Sequence, residues 1–351
     1  MHPKIKTQKK GKSKFHIGLA LLRPFLSFLV IISHCYNSKY ADGIWKIAFI
    51  KTEGCYFHVR TFFILALYFS HNTLVSPGIM KKIERLERLL IPYFIWPLII
   101  FFFNKWINLL IKVKDYKNLE LKDLKYQFLC GHGFNYPLWF QWNLIFISIL
   151  FALIILLFRR NYNFILLSLG IASFILQYNG KNLFYFNRYK DKRKFAFGRV
   201  IEMIPLSVTG FLIASFKVIT LLKKYRIKTI FVCCSIIYLL VNFKIFSVID
   251  GFWHQGFKMY FLSICIFIIF SMFPSEKIKN KRIIKFIKQI TNHTAGVYYI
   301  HVPIYTYTKG YIISIQNKTI KGCAIIYLIC YFICYIGSKF FGKTKLRNLF
   351  E

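Results

Sequence analysis

Ten runs of mostly apolar residues constrain this chain more than any other feature. They cover about 17–36, 57–70, 89–111, 138–158, 163–178, 197–216, 229–247, 257–273, 293–313 and 322–341. A helix crossing a bilayer needs roughly 20 such residues, and short clusters of Lys and Arg separate the runs. A soluble protein would scatter those charges over its whole surface. The apolar share is 56% and Phe alone contributes 40 of 351 residues, whereas globular domains are about 45–50% apolar. The expected fold is therefore all-α, a polytopic integral membrane bundle of about ten transmembrane helices. Disorder, collagen-like repeats, a small disulfide scaffold and a set of soluble domains are excluded.

The expected organisation is a basic cytoplasmic tail (1–16), one transmembrane domain (17–341) and a short cytoplasmic tail (342–351). The basic start resembles a signal peptide. It lacks a small-residue cleavage site, however, and Arg23 interrupts its apolar core, so an uncleaved first span is expected. Orientation follows the distribution of positive charge. With both termini cytoplasmic, the inner segments hold 26 Lys/Arg, against 19 in the outer loops and adjoining span ends. The segment Lys181–Lys194, with six basic residues, opposes the trend and is either a solvated loop or a surface for an anionic acceptor.

The net charge of +38 has no extramembrane domain on which to form a nucleic-acid groove. Attraction to membrane lipids, through the anionic leaflet, accounts for it better, and no nucleic-acid partner is expected. The nine Cys show no metal-ligand spacing, so no metal is expected either. Cys330 and Cys334 lie one helical turn apart in an apolar run, a packing arrangement.

Ionisable groups inside spans cost about 2.5–3.5 kcal/mol each on insertion scales and are functional suspects by default. In the first run, Arg23 and His34 are eleven residues apart. That separation is three helical turns plus about 20°, so both lie on one face, roughly 16 Å apart along the axis. At the third run, Arg85 and Arg88 share a face by their i, i+3 spacing, either as a fork for a phosphate or as a positive-inside anchor. Trp139 and Trp142 open the fourth run as an aromatic belt would, with Gln141 and Asn143 beside them. Arg199 and Glu202 are three apart and able to neutralise one another, either as a structural pair or, with Trp139, as part of a substrate-binding site. Tyr298 and His301 share a face of the ninth run, where Pro303 loosens the helix.

Together these residues resemble the membrane-bound acyltransferase family 3, which includes O-acetylases of O-antigen, capsule and Nod factor. Its first-span signature, an Arg and a His with ten residues between them, is matched by Arg23 and His34. In the family's order there follow Phe62-Phe63, Arg88-Leu-Leu-Ile-Pro92-Tyr, Leu138-Trp-Phe140, Gly210-Phe-Leu-Ile-Ala214 and Thr294-Ala-Gly-Val-Tyr-Tyr-Ile-His301. Ala66-Leu67 stands where the family usually has Ser-Gly. The esterase-like domain fused in some members does not follow the tenth run, so a second acyl transfer outside would need another polypeptide.

The resemblance implies an enzyme of the bacterial inner (plasma) membrane. It would move an acyl group, in the first place acetyl, from cytoplasmic acyl-CoA (acetyl-CoA) to a hydroxyl of a glycan or lipid-linked saccharide, with no bound cofactor. Arg85 and Arg88 suit the donor's phosphates and Arg23 its pantetheine arm. His34, an imidazole that titrates near about 6.5 when unperturbed, would act as general base or be transiently acylated. His301 and Tyr298 would orient His34 or donate to the oxyanion. Trp139, Arg199 and Glu202 would bind the acceptor. The competing class is a non-catalytic glycan exporter or scaffold, but the internal repeats and matched Gly/Pro-broken spans of transporters are missing.

The topology has a direct test. Reporter fusions after Lys339 and within the 112–137 loop are expected on opposite sides of the membrane; finding both on one side overturns the ten-span scheme.

Overall fold

The computed structural model describes residues 16–35, 57–111, 119–131, 137–179, 192–242, 251–275, 278, 280–308, 312, 319–342 and 344–350. These form α1 (Ile17–Cys35), α2 (Phe57–Val75), α3 (Ile79–Ile111), α4 (Leu121–Cys130), α5 (Leu138–Leu157), α6 (Tyr162–Asn179) and α7 (Lys192–Ser215). There follow α8 (Val218–Lys223), α9 (Arg226–Asn242), α10 (Gly251–Ser271), α11 (Lys281–Asn292), α12 (Thr294–Thr308), α13 (Ile320–Phe340) and a 3-10 turn (Lys345–Leu349). Among the described residues there is no strand, as the all-α expectation requires.

Ten of these helices overlie the ten apolar runs. Five of them, α1, α3, α5, α7 and α13, contain a stretch long and apolar enough to cross a bilayer by length and composition. Several boundaries differ from the sequence reading, and two of them bear on the site. α3 begins at Ile79, not near 89, because Lys, Glu, Arg and Leu in 81–90 are all good helix formers and carry the helix on without a break. The run expected from 293 is instead entered through a bend at His293, the C-cap that separates α11 from α12. The final residues also fold back onto the bundle. Trp96 Nε1 donates to the Leu349 carbonyl (3.1 Å), and Phe350 stacks on Phe341 with ring centroids 5.6 Å apart. Gly296 clears the space, since a Cβ there would meet the Phe350 carbonyl oxygen at 2.9 Å.

The outward surfaces are apolar. In α13, Leu328, Phe332, Ile336 and Phe340 recur every four residues, and all are exposed, up to 82% at Phe340. Cys323, Ile326, Cys330 and Cys334 occupy the opposite, buried face. α6 repeats the pattern with Phe164, Leu167, Ile171 and Ile175 exposed. An apolar stripe turned away from the core is what a hydrocarbon solvent selects.

Inside, α2 is the central post, packed by α1, α3, α5, α7 and α10. Phe63, Ile64, Leu65 and Leu67 point in different directions around it, and all are buried, as in a helix with neighbours on most of its sides. Its tightest neighbour is α7: a Cβ on Gly210 would lie 2.2 Å from the Ile64 carbonyl oxygen, so only glycine admits this approach.

Prolines inside helices leave the carbonyl four residues back without its N–H partner. Pro24 does this to Ala20, and Pro205 to Ile201. Both carbonyls are taken up by a side chain from another helix. Thr291 Oγ1 reaches the Ala20 carbonyl at 2.9 Å, its one hydrogen shared with the Ile287 carbonyl of its own helix at 2.7 Å, and Gln177 Nε2 donates to Ile201 at 3.0 Å. A bilayer offers no water for this purpose, so the repair must come from the protein.

Thr291→Val is therefore expected to lower stability by about 1–2 kcal/mol, read as a drop in the thermal midpoint of the detergent-solubilised protein. Adding Pro24→Ala restores an N–H to the Ala20 carbonyl and should recover most of that loss. A double variant no better than Thr291→Val would show that the carbonyl is not the cause.

Candidate active site

The one-face arrangement of Arg23 and His34 is realised on α1, which runs helical through Pro24. The two residues meet different surroundings. Arg23 is half-buried, and its guanidinium lies over the Phe69 ring of α2, 4.6 Å from the centroid, a cation–π contact that tempers a charge held among apolar groups. His34, in the last turn, is exposed, and its ring leans on that of His301 with centroids 5.3 Å apart.

Arg23 opens onto a cavity of about 180 Å³ built by six helices. α2 contributes Phe62, Leu65 and Ala66, α3 Leu89, and α5 Phe140, Gln141 and Leu144; α11 adds Thr291, and α12 adds Thr294, Ala295, Tyr298 and Tyr299. The wall is mostly apolar. Its amide is locked: Tyr299 Oη donates to Gln141 Oε1 at 2.8 Å, while Gln141 Nε2 donates to the Leu89 carbonyl at 2.9 Å. A space of this size admits a group of roughly six to ten heavy atoms, judged against the benzene-sized occupant of a comparable cavity.

Tyr298 joins this cavity to the histidines. Its ring packs on Phe140 (5.3 Å), Phe62 (6.0 Å) and His301 (6.0 Å). His301 is fully buried, and its Nδ1 lies 2.8 Å from the Tyr298 carbonyl oxygen. A carbonyl can only accept, so Nδ1 carries the hydrogen, and in the neutral ring Nε2 keeps its lone pair. That Nε2 is buried and has no hydrogen-bond partner among the described residues. His58 of α2, also buried, places its Nε2 3.5 Å from Ser33 Oγ, next to His34 in the chain. Imidazoles from α1, α2 and α12 thus gather beyond the cavity, toward the C-terminal end of α1.

The other sequence candidates fall into two places. Arg85 donates from Nη2 to Ser148 Oγ on α5 at 3.2 Å. Leu89 and Leu144 are each one turn away from that contact on their helices, so Arg85 sits one turn beyond the cavity wall. Arg88, three residues on, is exposed. On the other side of the wall, Glu202 accepts from Arg199 Nη1 at 2.8 Å and from Arg60 Nη2 at 2.5 Å, one guanidinium to each carboxylate oxygen. Arg199 also covers the Trp139 ring, 5.2 Å from its centroid. Arg60 lies two residues before the cavity residue Phe62, and Trp139 lies one before Phe140, which puts this cluster just past the wall. Most of the basic segment Lys181–Lys194 lies outside the described residues.

His58 and Arg60 are functional candidates that the sequence reading passed over. Their signal was present: a span opening on His-x-Arg carries the same insertion penalty that singled out Arg23 and His34. The partnership of Tyr299 with Gln141 had no such signal, because it joins residues 158 apart.

A family model described as an acyltransferase domain matches residues 16–340. No curated protein and no solved structure matches the chain. The ion cluster yields a prediction of its own. Glu202→Gln leaves two neighbouring guanidiniums without their carboxylate and should cost roughly 3 kcal/mol in thermal unfolding. Adding Arg60→Met should return part of that loss, and a further loss instead would mean that Arg60 is held by other groups.

Proposed function

The chain belongs to this acyltransferase family and is a multi-pass membrane acyltransferase; we propose that it moves a short acyl group, in the first place acetyl, from cytoplasmic acyl-CoA to a hydroxyl of a glycan or lipid-linked saccharide. One observation carries this reading. The Arg23 cavity and the His34–His301 pair occupy successive levels of one bundle, joined through Tyr298.

The anionic donor approaches from the side where α1 begins and α3 presents Arg85 and Arg88. Its phosphates are drawn to those guanidiniums, which suit phosphate geometry better than ammonium groups do. The pantetheine arm passes Arg23 into the cavity, whose modest volume supports a short acyl group over a long lipid chain. The acceptor enters from the opposite side, against Trp139, Arg199, Glu202 and Arg60. Stacking on Trp139 and hydrogen bonds to the ion cluster suit a sugar.

His34 takes the proton of the acceptor hydroxyl as its oxygen attacks the thioester carbonyl carbon. His301, held by its Nδ1–H on Tyr298, keeps an acceptor Nε2 beside the His34 ring, and a turn of that ring to donate its N–H there would fix the tautomer that accepts the proton. Tyr298 faces the developing oxyanion from the cavity. Collapse of the tetrahedral intermediate breaks the C–S bond, and the proton on His34 leaves with the CoA thiolate as its thiol.

The test is acyl transfer per mole of inserted protein, with radiolabelled acetyl-CoA and membranes bearing surface glycan. His34→Ala should lose about 10²–10⁴-fold, and Arg23→Ala should raise the apparent donor KM more than it lowers the saturated rate. His301→Gln, which keeps an acceptor, should retain more activity than His301→Leu. Near-wild-type specific activity in His34→Ala rejects its role as base, and no ester formation in wild-type membranes favours the exporter or scaffold reading.

A further inference from the structure

α11 has three distinct sides. At roughly 100° per residue, Ile287 and Thr291 fall on the side buried against α1, where Ile287 packs with Ile17 and Ala20 and Thr291 bonds the Ala20 carbonyl. Lys281, Lys285 and Lys288 fall on a second side, flanked by Arg282, and all four are exposed. The third side carries Ile283 and Phe286, 46% and 62% exposed, about 150° around the axis from the basic side. The helix contains no acidic residue.

Its place in the bundle is fixed by the start of α1. Ile17 N–H donates to Ser275 Oγ at 3.1 Å in the segment leading to α11, and the Asn280 side chain caps α11 by accepting from Arg282 and Ile283 N–H. α11 therefore lies beside the first turn of an apolar span, level with the boundary between hydrocarbon and water. An exposed Phe and Ile opposite a row of cations is the make-up of a helix lying in that boundary.

We propose that α11 is a docking site for anionic lipid, with Ile283 and Phe286 among the acyl chains and Lys281, Arg282, Lys285 and Lys288 on the headgroup phosphates. Charge complementarity selects this occupant: four cations, with no carboxylate on the helix, meet a leaflet whose negative charge attracts each of them. The exposed Ile283 and Phe286 on the same helix select a lipid, with its acyl chains, over a soluble anion. The site has a mechanical consequence, because Thr291 is also part of the cavity wall. Lipid that holds α11 against α1 holds the rim of the cavity in place. The inference rests on the membrane bundle and not on the transfer reaction, so its failure would leave the proposed activity untouched.

The experiment is native mass spectrometry of the full chain in detergent, titrated with phosphatidylglycerol or phosphatidylcholine. Wild type should retain phosphatidylglycerol preferentially. Replacing Lys281, Arg282, Lys285 and Lys288 together with Gln should weaken that preference at least about fivefold, while replacing all three lysines with Arg should preserve it. The same number of Gln substitutions at Lys223, Lys224, Arg226 and Lys228 controls for total charge and should leave the preference in place. A preference that survives in the α11 Gln variant, or falls equally in the control, overturns the proposal. Displacement of the bound phosphatidylglycerol by CoA also overturns it and assigns α11 to the donor's phosphates.

Discussion

The hydrogen bond from Thr291 to the Ala20 carbonyl shows the constraint on which the rest of this structure depends: in hydrocarbon, no backbone polar group can be left to the solvent. Pro24 breaks the ladder of α1 one residue after Arg23, and the repair comes from the last turn of α11. That single contact ties a basic surface helix, the first span and the cavity wall into one unit. The same solution recurs where Pro205 frees Ile201 and Gln177 answers from α6. At these two breaks the span thereby specifies a particular neighbour.

Cations within the bundle are treated with similar economy. Arg23 rests on the Phe69 ring, Arg85 on a serine hydroxyl, and Arg60 and Arg199 share Glu202. These contacts differ in how readily they exchange for a ligand. A ring face or a neutral hydroxyl leaves most of a guanidinium's charge uncompensated, whereas a carboxylate neutralises it. Arg23 and Arg85 thus keep their attraction for an incoming anion, on the side of the cavity where α1 begins and α3 is basic. The Arg60–Glu202–Arg199 cluster keeps the net charge of a single cation spread over three groups and offers directional hydrogen bonds.

Much of this was legible in the chain. Apolar runs marked the helices because a span must be long and continuous, and the Arg23–His34 spacing marked a face because helical periodicity is local. The Arg199–Glu202 pair was legible for the same reason, whereas Gly210 stood out only through the motif that resembles the family, and its approach to Ile64 was not legible. The cavity was not, since its wall draws on six helices spread over more than 230 residues. Nor was the difference between Arg85 and Arg88: their spacing puts them on one face, but only the position of Ser148 on α5 gives Arg85 a partner and leaves Arg88 exposed.

The sequence by itself determined that the chain is a helical membrane bundle, and which of its residues carry a charge or an imidazole into that bundle at a penalty that calls for a function. Both follow from properties summed along a local stretch of chain: hydropathy, period and insertion cost. Only the tertiary structure decided that His301 packs under His34, that Tyr298 links them to the cavity of Arg23, and that Glu202 divides its oxygens between two arginines. Those outcomes depend on which helices touch, and contact between distant helices is set by shape and by the repair of broken backbone hydrogen bonds, neither of which any single stretch of chain contains.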